Sequence, residues 1–178
     1  MMYETAAGIA REIGFTHFGP LDPATIQLKP EVRQMCAPCR MYDKRWSCPP
    51  GCGDLERCAA RIGEFRRGIL VQTVGELEDS MDYETMMEAE ALQKEHFAAM
   101  YKRLRELGIP VLALGAGCCT QCKECTYPKE PCRFPDRMVS SMEAYGMEVS
   151  AVCKANALPY YYGQNTIAYT SCFLFNED

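Results

Sequence analysis

The sequence lacks the features that mark nucleic-acid-binding, membrane and secreted proteins. It has no long run of lysine or arginine, and its formal net charge is −5. Nucleic-acid binders concentrate positive charge, so no nucleic-acid partner is expected. No stretch reaches the roughly eighteen apolar residues of a membrane span, and the N-terminus lacks the basic start and apolar run of a signal peptide. We therefore predict a cytoplasmic protein with no membrane partner.

Common catalytic motifs are also missing. The chain contains no G-x-G-x-x-G, no phosphate-binding loop of the Walker type, no G-x-S-x-G and no H-E-x-x-H. Its two histidines, His17 and His96, are far apart in sequence and give little support to a cysteine-histidine nucleophile. The sequence alone does not decide whether the protein is an enzyme.

Cysteine, in contrast, is abundant, with twelve residues in a chain of 178. In a short secreted protein this number would indicate a disulfide framework. In a reducing cytoplasm, clustered cysteines more often bind metal or carry out redox chemistry. The cysteines therefore direct attention to two segments.

The C-terminal cysteines have the spacing of iron-sulfur ligands. Cys119, Cys122 and Cys125 follow one another at intervals of three, so that one loop can present three thiolates to a cubic cluster. Cys132 is the nearest candidate for the fourth ligand. It departs from the ferredoxin pattern C-x2-C-x2-C-x3-C-P, because six residues separate it from Cys125 and no proline follows it. Cys118 could replace Cys119 as a ligand. We favour Cys119, because it keeps the two-residue spacing to Cys122. We predict a 4Fe-4S cluster on these four cysteines.

The N-terminal cysteines form a second candidate site. Cys36, Cys39, Cys48 and Cys52 give C-x2-C-x8-C-x3-C among prolines and glycines. This spacing suits a tetrahedral zinc ion and equally a second 4Fe-4S cluster. We favour iron, with zinc as the alternative, and Cys58 is a reserve ligand.

Taken together, these motifs resemble an uncharacterised bacterial and archaeal family of predicted metal-binding proteins. The resemblance covers nearly the whole chain, and it implies a small cytoplasmic protein, typical of anaerobes, that carries iron-sulfur clusters. It brings no established reaction. The resemblance depends on the following stretches: Cys36-x2-Cys39, residues 42–52, Cys119-x2-Cys122-x2-Cys125, residues 131–135 and residues 141–146.

The remaining pattern predicts one domain over residues 1–178, of α/β or α+β class, with a single mixed sheet flanked by helices. Two cysteine-rich loops, residues 30–58 and 117–136, interrupt it. The strand over residues 109–115 is predicted to be central and to carry the second loop at its end. The predicted helices cover 3–13, 55–67, a stretch that begins near Ser80 or Asp82 and runs to Leu107, and parts of 137–158. The other predicted strands cover 15–21, 69–74, 159–163 and 167–175.

Three functions are compatible with these observations. The first is an electron-transfer protein with two 4Fe-4S clusters and a redox protein partner. The second is a zinc-stabilised binding module. The third is a cluster-dependent enzyme with an open iron position, for which Tyr160–Tyr162 could line a pocket, although an aromatic run beside a strand is more often part of the core. Oligomeric state is not indicated.

Overall fold

Runs of β-branched and aromatic residues form the middle of a mixed, five-stranded sheet. In this computed structural model, which describes residues 1–176, β2 (Arg67–Glu76) pairs antiparallel with β5 (Thr166–Phe175) over ten residues. β1 (His17–Leu21) extends the sheet beyond β2, and β3 (Val111–Gly115) pairs antiparallel with β5. The short β4 (Ser140–Ser141) runs parallel to β3. The strand order is β1-β2-β5-β3-β4, which confirms the predicted single mixed sheet and gives an α+β class.

Two long helices cover one face of the sheet. Helix α1 (Met2–Ile13) ends at Gly14, whose φ of 101° lies in the left-handed region that glycine adopts readily. Helix α4 (Tyr83–Glu106) begins after Asp82, whose carboxylate caps it. The strands supply the matching apolar side chains, because alternate residues of a strand share a face. The buried core of this first face contains Ala6, Ala7, Ile9, Ala10, Phe15, Ile69, Val71, Phe97, Met100, Leu104, Ala113, Phe173 and Phe175.

Shorter elements cover the other face. These are α2 (Pro30–Gln34), α3 (Leu55–Ile62) and α5 (Val149–Ala155), with a 3-10 turn at Glu143–Tyr145; another 3-10 turn, Pro23–Thr25, follows β1. Here Cys172 and Leu174 of β5 point into a second core with Ile62 and Cys153, while Phe173 and Phe175 belong to the first, as alternation along a strand requires.

Several predicted boundaries were wrong. The helix predicted over 55–67 ends at Ile62, because Arg67 is already paired with Phe175 in the sheet. The strand predicted over 159–163 does not form. The predicted loop 30–58 contains all of α2 and the first turn of α3, while residues 117–136 have no helix or strand.

The position of the strand before the second cysteine loop also differs from the prediction. β3 is not central: β5 is the middle strand, and β3 lies beside the short edge strand β4. The connection between the parallel strands β3 and β4 therefore lies at the edge of the sheet, where residues 116–139 form an irregular loop. No helix within residues 1–176 combines the length and apolar character needed to cross a membrane.

Candidate metal centre

The N-terminal cysteine segment, residues 36–52, is a series of tight turns. The amide of Cys39 donates to the carbonyl oxygen of Cys36 at 3.0 Å, and the amide of Cys52 donates to that of Cys48 at 3.1 Å. Both ends of the segment are anchored. Before it, the amide of Lys29 donates to the carbonyl oxygen of Gly146 at 2.8 Å, and after it α3 packs into the second core. The fold thus holds these thiols beside the sheet without a regular element of their own.

Hydrogen-bond donors lie close to several of these sulfurs. The amide of Met41 donates to Cys39 Sγ at 3.5 Å, and the hydroxyl of Ser47 lies 3.8 Å from Cys48 Sγ. Donors of this kind stabilise negative charge on sulfur and tune a bound metal. Cys48 is buried, Cys36 and Cys52 are half-buried, and Cys39 is exposed.

Cys52 is paired with Cys58, which was only a reserve ligand in the sequence analysis. The guanidinium of Arg33 donates to Cys52 Sγ at 3.3 Å and to Cys58 Sγ at 3.8 Å. The contact with Cys52 and the nearby guanidinium together lower the pKa of Cys58 to about 7, against the effect of burial. The pKa of Cys52 is raised in turn, because the two thiols share one negative charge.

The C-terminal cysteine segment, residues 118–132, folds back on itself between its last two cysteines. The hydroxyl of Thr126 donates to the carbonyl oxygen of Pro131 at 2.9 Å, and the amide of Glu130 donates to that of Thr126 at 3.1 Å. Arg133 Nη1 donates to the carbonyl oxygen of Glu124 at 2.9 Å. These bonds close the six-residue gap, so Cys125 and Cys132 lie at the two ends of one closed turn.

The two cysteine segments contact each other directly. The amide of Cys119 donates to Ser47 Oγ at 3.2 Å, and Arg45 Nη1 donates to the carbonyl oxygen of Cys119, also at 3.2 Å. The indole of Trp46 donates to the carbonyl oxygen of Glu130 at 3.0 Å and meets the ring of Tyr127 edge-on, with centroids 4.9 Å apart. We call this contact the segment junction. It combines the two candidate sites into one unit.

Burial and neighbouring charged groups oppose ionisation of two of these thiols, Cys36 and Cys48. Burial raises the pKa of Cys48, and the neighbouring sulfurs of Cys118 and Cys39 raise it further. Burial also raises the pKa of Cys36, with smaller contributions from Glu143 and Cys39. A bound cation would remove this repulsion and allow the thiols to ionise.

The donor chemistry of the predicted ligands suits a thiolate-bound metal. All twelve cysteines are free thiols, and the eight predicted ligands lie on the two contacting segments: Cys36, Cys39, Cys48, Cys52, Cys119, Cys122, Cys125 and Cys132. Over residues 1–176, however, no three cysteine, histidine or carboxylate side chains converge as a ligand group. The assignment of the ligand sets therefore depends on donor chemistry and backbone position. The structure also places two further cysteines near predicted ligands: Cys58 lies beside Cys52, and Cys118 lies near Cys48.

Other candidate residues lie elsewhere. His17 stacks on Tyr162 with centroids 4.3 Å apart, and His96 packs edge-on against Phe15 at 5.3 Å, both apart from the cysteine segments. Tyr161 is exposed and lines neither of the two main cavities. Sequence reasoning missed a cavity beside α4 and the C-terminal segment, because its walls come from four separate stretches of chain.

Comparison with known proteins gives one match. The sequence profile of the family described as "Predicted metal-binding protein (DUF2284)" matches residues 19–175, which include both cysteine segments. Searches of the curated proteins and of the solved structures found no match.

Proposed function

Because the chain belongs to the predicted metal-binding protein family DUF2284, we propose that its metal centres are two 4Fe-4S clusters that transfer single electrons. Cys119, Cys122, Cys125 and Cys132 hold one cluster in this proposal. Cys36, Cys39, Cys48 and Cys52 hold the other. Each bound cluster would supply a one-electron redox couple.

The observation that carries the proposal is the C-x2-C-x2-C run on an irregular loop. That spacing matches a cluster with three ligands in one turn better than a zinc ion, which usually takes two separate pairs. The closed turn between Cys125 and Cys132 supports Cys132 as fourth ligand, since its hydrogen bonds offset the long gap in sequence.

The surroundings of the thiols suit electron exchange with a second protein. Cys39 is exposed, so one ligand of the N-terminal set lies at the surface, where a redox protein partner in the cytoplasm could approach. Donors from Met41, Ser47 and Arg33 lie near the sulfurs of this set, and hydrogen bonds to sulfur raise a cluster's reduction potential by favouring its more negative, reduced form.

Metal analysis of anaerobically purified protein tests the proposal. Two clusters predict about eight iron atoms and about eight sulfide ions per chain, with broad visible absorption that bleaches on reduction. An electron paramagnetic signal should appear after reduction. A colourless protein with full zinc and no iron would overturn the proposal and support a zinc-stabilised binding module instead. Zinc together with about four iron atoms would assign zinc to the N-terminal site and keep the C-terminal cluster.

A second candidate, a cluster-dependent enzyme, is favoured by one specific observation. The cavity beside α4 reaches Cys118 and Cys119, so a small molecule bound there would lie next to the C-terminal segment. If iron is found, a spectral change on adding small organic molecules would support this candidate. If none of these molecules changes the spectrum, electron transfer without a bound substrate is favoured.

A further inference from the structure

The cavity beside α4 has the size of a small-molecule site. Its volume is about 470 Å³, within the range of about 300–1,000 Å³ found for ligand pockets. It lies between α4, the end of β3, the start of the C-terminal cysteine segment and the loop around Arg137. Small residues keep it open: Gly115, Ala116 and Gly117 form the wall where β3 ends.

The inner wall of the cavity is apolar and well fixed. Phe97 is only 8% exposed and stacks on Phe173 with centroids 4.7 Å apart. The hydroxyl of Tyr101 donates to the carbonyl oxygen of Asp136 at 2.9 Å, which holds the ring at the cavity. Rigid aromatic walls of this kind favour a flat, apolar ligand body.

The rim of the cavity is positively charged although the protein as a whole is negative. Lys94, Lys102, Arg105 and Arg137 line it, against one carboxylate, Glu106. Glu90 neutralises Lys94 at 2.6 Å, and Glu106 lies 3.8 Å from Lys102 in a largely exposed pair.

Two of these cations are left for a ligand. In the part of the chain from residue 1 to 176, Arg105 and Arg137 have no carboxylate within ion-pair distance; they lie instead over the rings of Tyr101 and Phe134, at 5.6 Å and 4.3 Å. A guanidinium held on a ring keeps its N–H groups free for an anion. The rim therefore complements a negatively charged group.

We propose that this cavity binds a small organic anion with a flat, apolar body, such as an aromatic carboxylate. The ring of the ligand lies against Phe97 and Tyr101, and its anionic group is held by Arg105 and Arg137. Binding does not require a metal. Only a reaction of the ligand would depend on the proposed cluster at the adjacent cysteines.

Calorimetric titration of the protein as purified tests the site with 2-naphthoate. Its matched neutral analogue, 2-naphthamide, has the same rings without the charge. We expect saturable binding of one naphthoate per chain. Binding of the amide should be weaker by about two- to fivefold, which is the contribution of a partly exposed charge pair. No saturable binding of naphthoate, or equal affinity for both compounds, would overturn the proposal.

Two tryptophan variants on the same helix provide the structural control. Ala98 and Ala99 are both exposed on α4, but only Ala98 lines the cavity. Ala98→Trp should fill the cavity and weaken naphthoate binding by about tenfold or more, while Ala99→Trp should leave it within about twofold. Equal effects of the two variants would show that naphthoate binds elsewhere. The result is independent of metal content, which is measured on the same samples.

Discussion

Cys122 and Cys172 illustrate how differently this chain uses the same side chain. Cys172 is fully buried in β5, paired in register with Leu70 and Leu114, and burial raises the pKa of its thiol far above the usual range. Cys122 lies half-buried in the C-terminal segment with no regular structure around it. A buried, protonated thiol acts as a small apolar group, whereas a thiol on an irregular loop is available to a metal.

Serine substitutions should separate these two roles. Cys122→Ser should lower iron content by about one cluster, or four atoms. Cys172→Ser should leave the metal content unchanged but lower the free energy of unfolding by about 1–3 kcal/mol, because it buries a hydroxyl in an apolar core. Iron analysis and chemical denaturation provide the two measurements. Equal metal loss in both variants would mean that the ligands are wrongly assigned.

At the scale of residues, the sequence predicts which cysteines lie in each segment but not which of them meet. The spacing of Cys119, Cys122 and Cys125 is local information, and the loop that carries them is irregular as expected. The pairing of Cys52 with Cys58 depends on Arg33, which arrives from α2. Such a contact is tertiary, so no spacing rule could have predicted it.

At the scale of elements, the strands and helices with strong local signals agree with the structure, and errors occur where tertiary pairing decides. Helix α4 begins after Asp82, as its sequence pattern predicts, and ends beside Gly108, but Tyr83 and Met87 near its start are exposed. Residues 159–163 have strand-like composition and no strand beside them to pair with. A high β-propensity does not produce a strand where no neighbouring strand is available for pairing.

Two glycine-to-alanine substitutions should have opposite effects. A methyl group at Gly8 in α1 would meet nothing within 4 Å, so Gly8→Ala should stabilise the protein by about 0.5–1 kcal/mol through reduced backbone entropy. At Gly68 in β2, a methyl group would lie 2.7 Å from both Leu174 Cδ2 and the carbonyl oxygen of Phe173. Gly68→Ala should therefore cost about 1–3 kcal/mol, measured by chemical denaturation. A neutral Gly68→Ala would contradict the described pairing of β2 with β5.

The cap of α4 predicts a pH-dependent contribution to stability. Asp82 accepts hydrogen bonds from the amides of Glu78 at 3.0 Å and Thr85 at 3.1 Å, and these bonds lower the pKa of its carboxyl group. A lowered pKa in the folded state means that the stabilisation is fully present above the unfolded-state pKa and is lost as pH falls through the folded-state pKa.

Asp82→Ala should therefore melt at a lower temperature than the wild type at pH 7. The difference should begin to shrink as the pH falls below about 4, the ordinary pKa of the unfolded-state carboxyl group, and should vanish as the pH falls through the lower pKa of the folded protein. Thermal unfolding of both proteins at each pH gives the difference directly. A difference in melting temperature that stays constant down to the lowest pH measured would contradict a charged cap.

At the scale of the whole molecule, the segment junction makes the two cysteine segments depend on each other. Ser47 is 1% exposed, and its hydroxyl accepts the amide of Cys119 across 72 residues of sequence. Ser47→Ala would leave that amide without its acceptor while changing the side-chain volume only slightly. The free energy of unfolding should therefore fall by about 1–3 kcal/mol.

We expect faster amide hydrogen exchange over residues 116–125 in Ser47→Ala, with a faster loss of metal from both segments to a chelator. Ser150→Ala in α5 is the control, since that residue lies outside both segments. If metal were lost from the N-terminal segment alone, the two sites would be independent despite their contact.

The strand order also determines when the protein can fold during synthesis. β5 occupies the middle of the sheet, yet the ribosome makes it after every other strand and helix. Until it emerges, β2 and β3 have no common partner, and the edges that will receive it are open to wrong pairing. Both cysteine segments leave the ribosome before that moment. The nascent chain therefore presents its thiols while the sheet that holds them is incomplete, and the site is finished only once β5 has paired with β2 and β3.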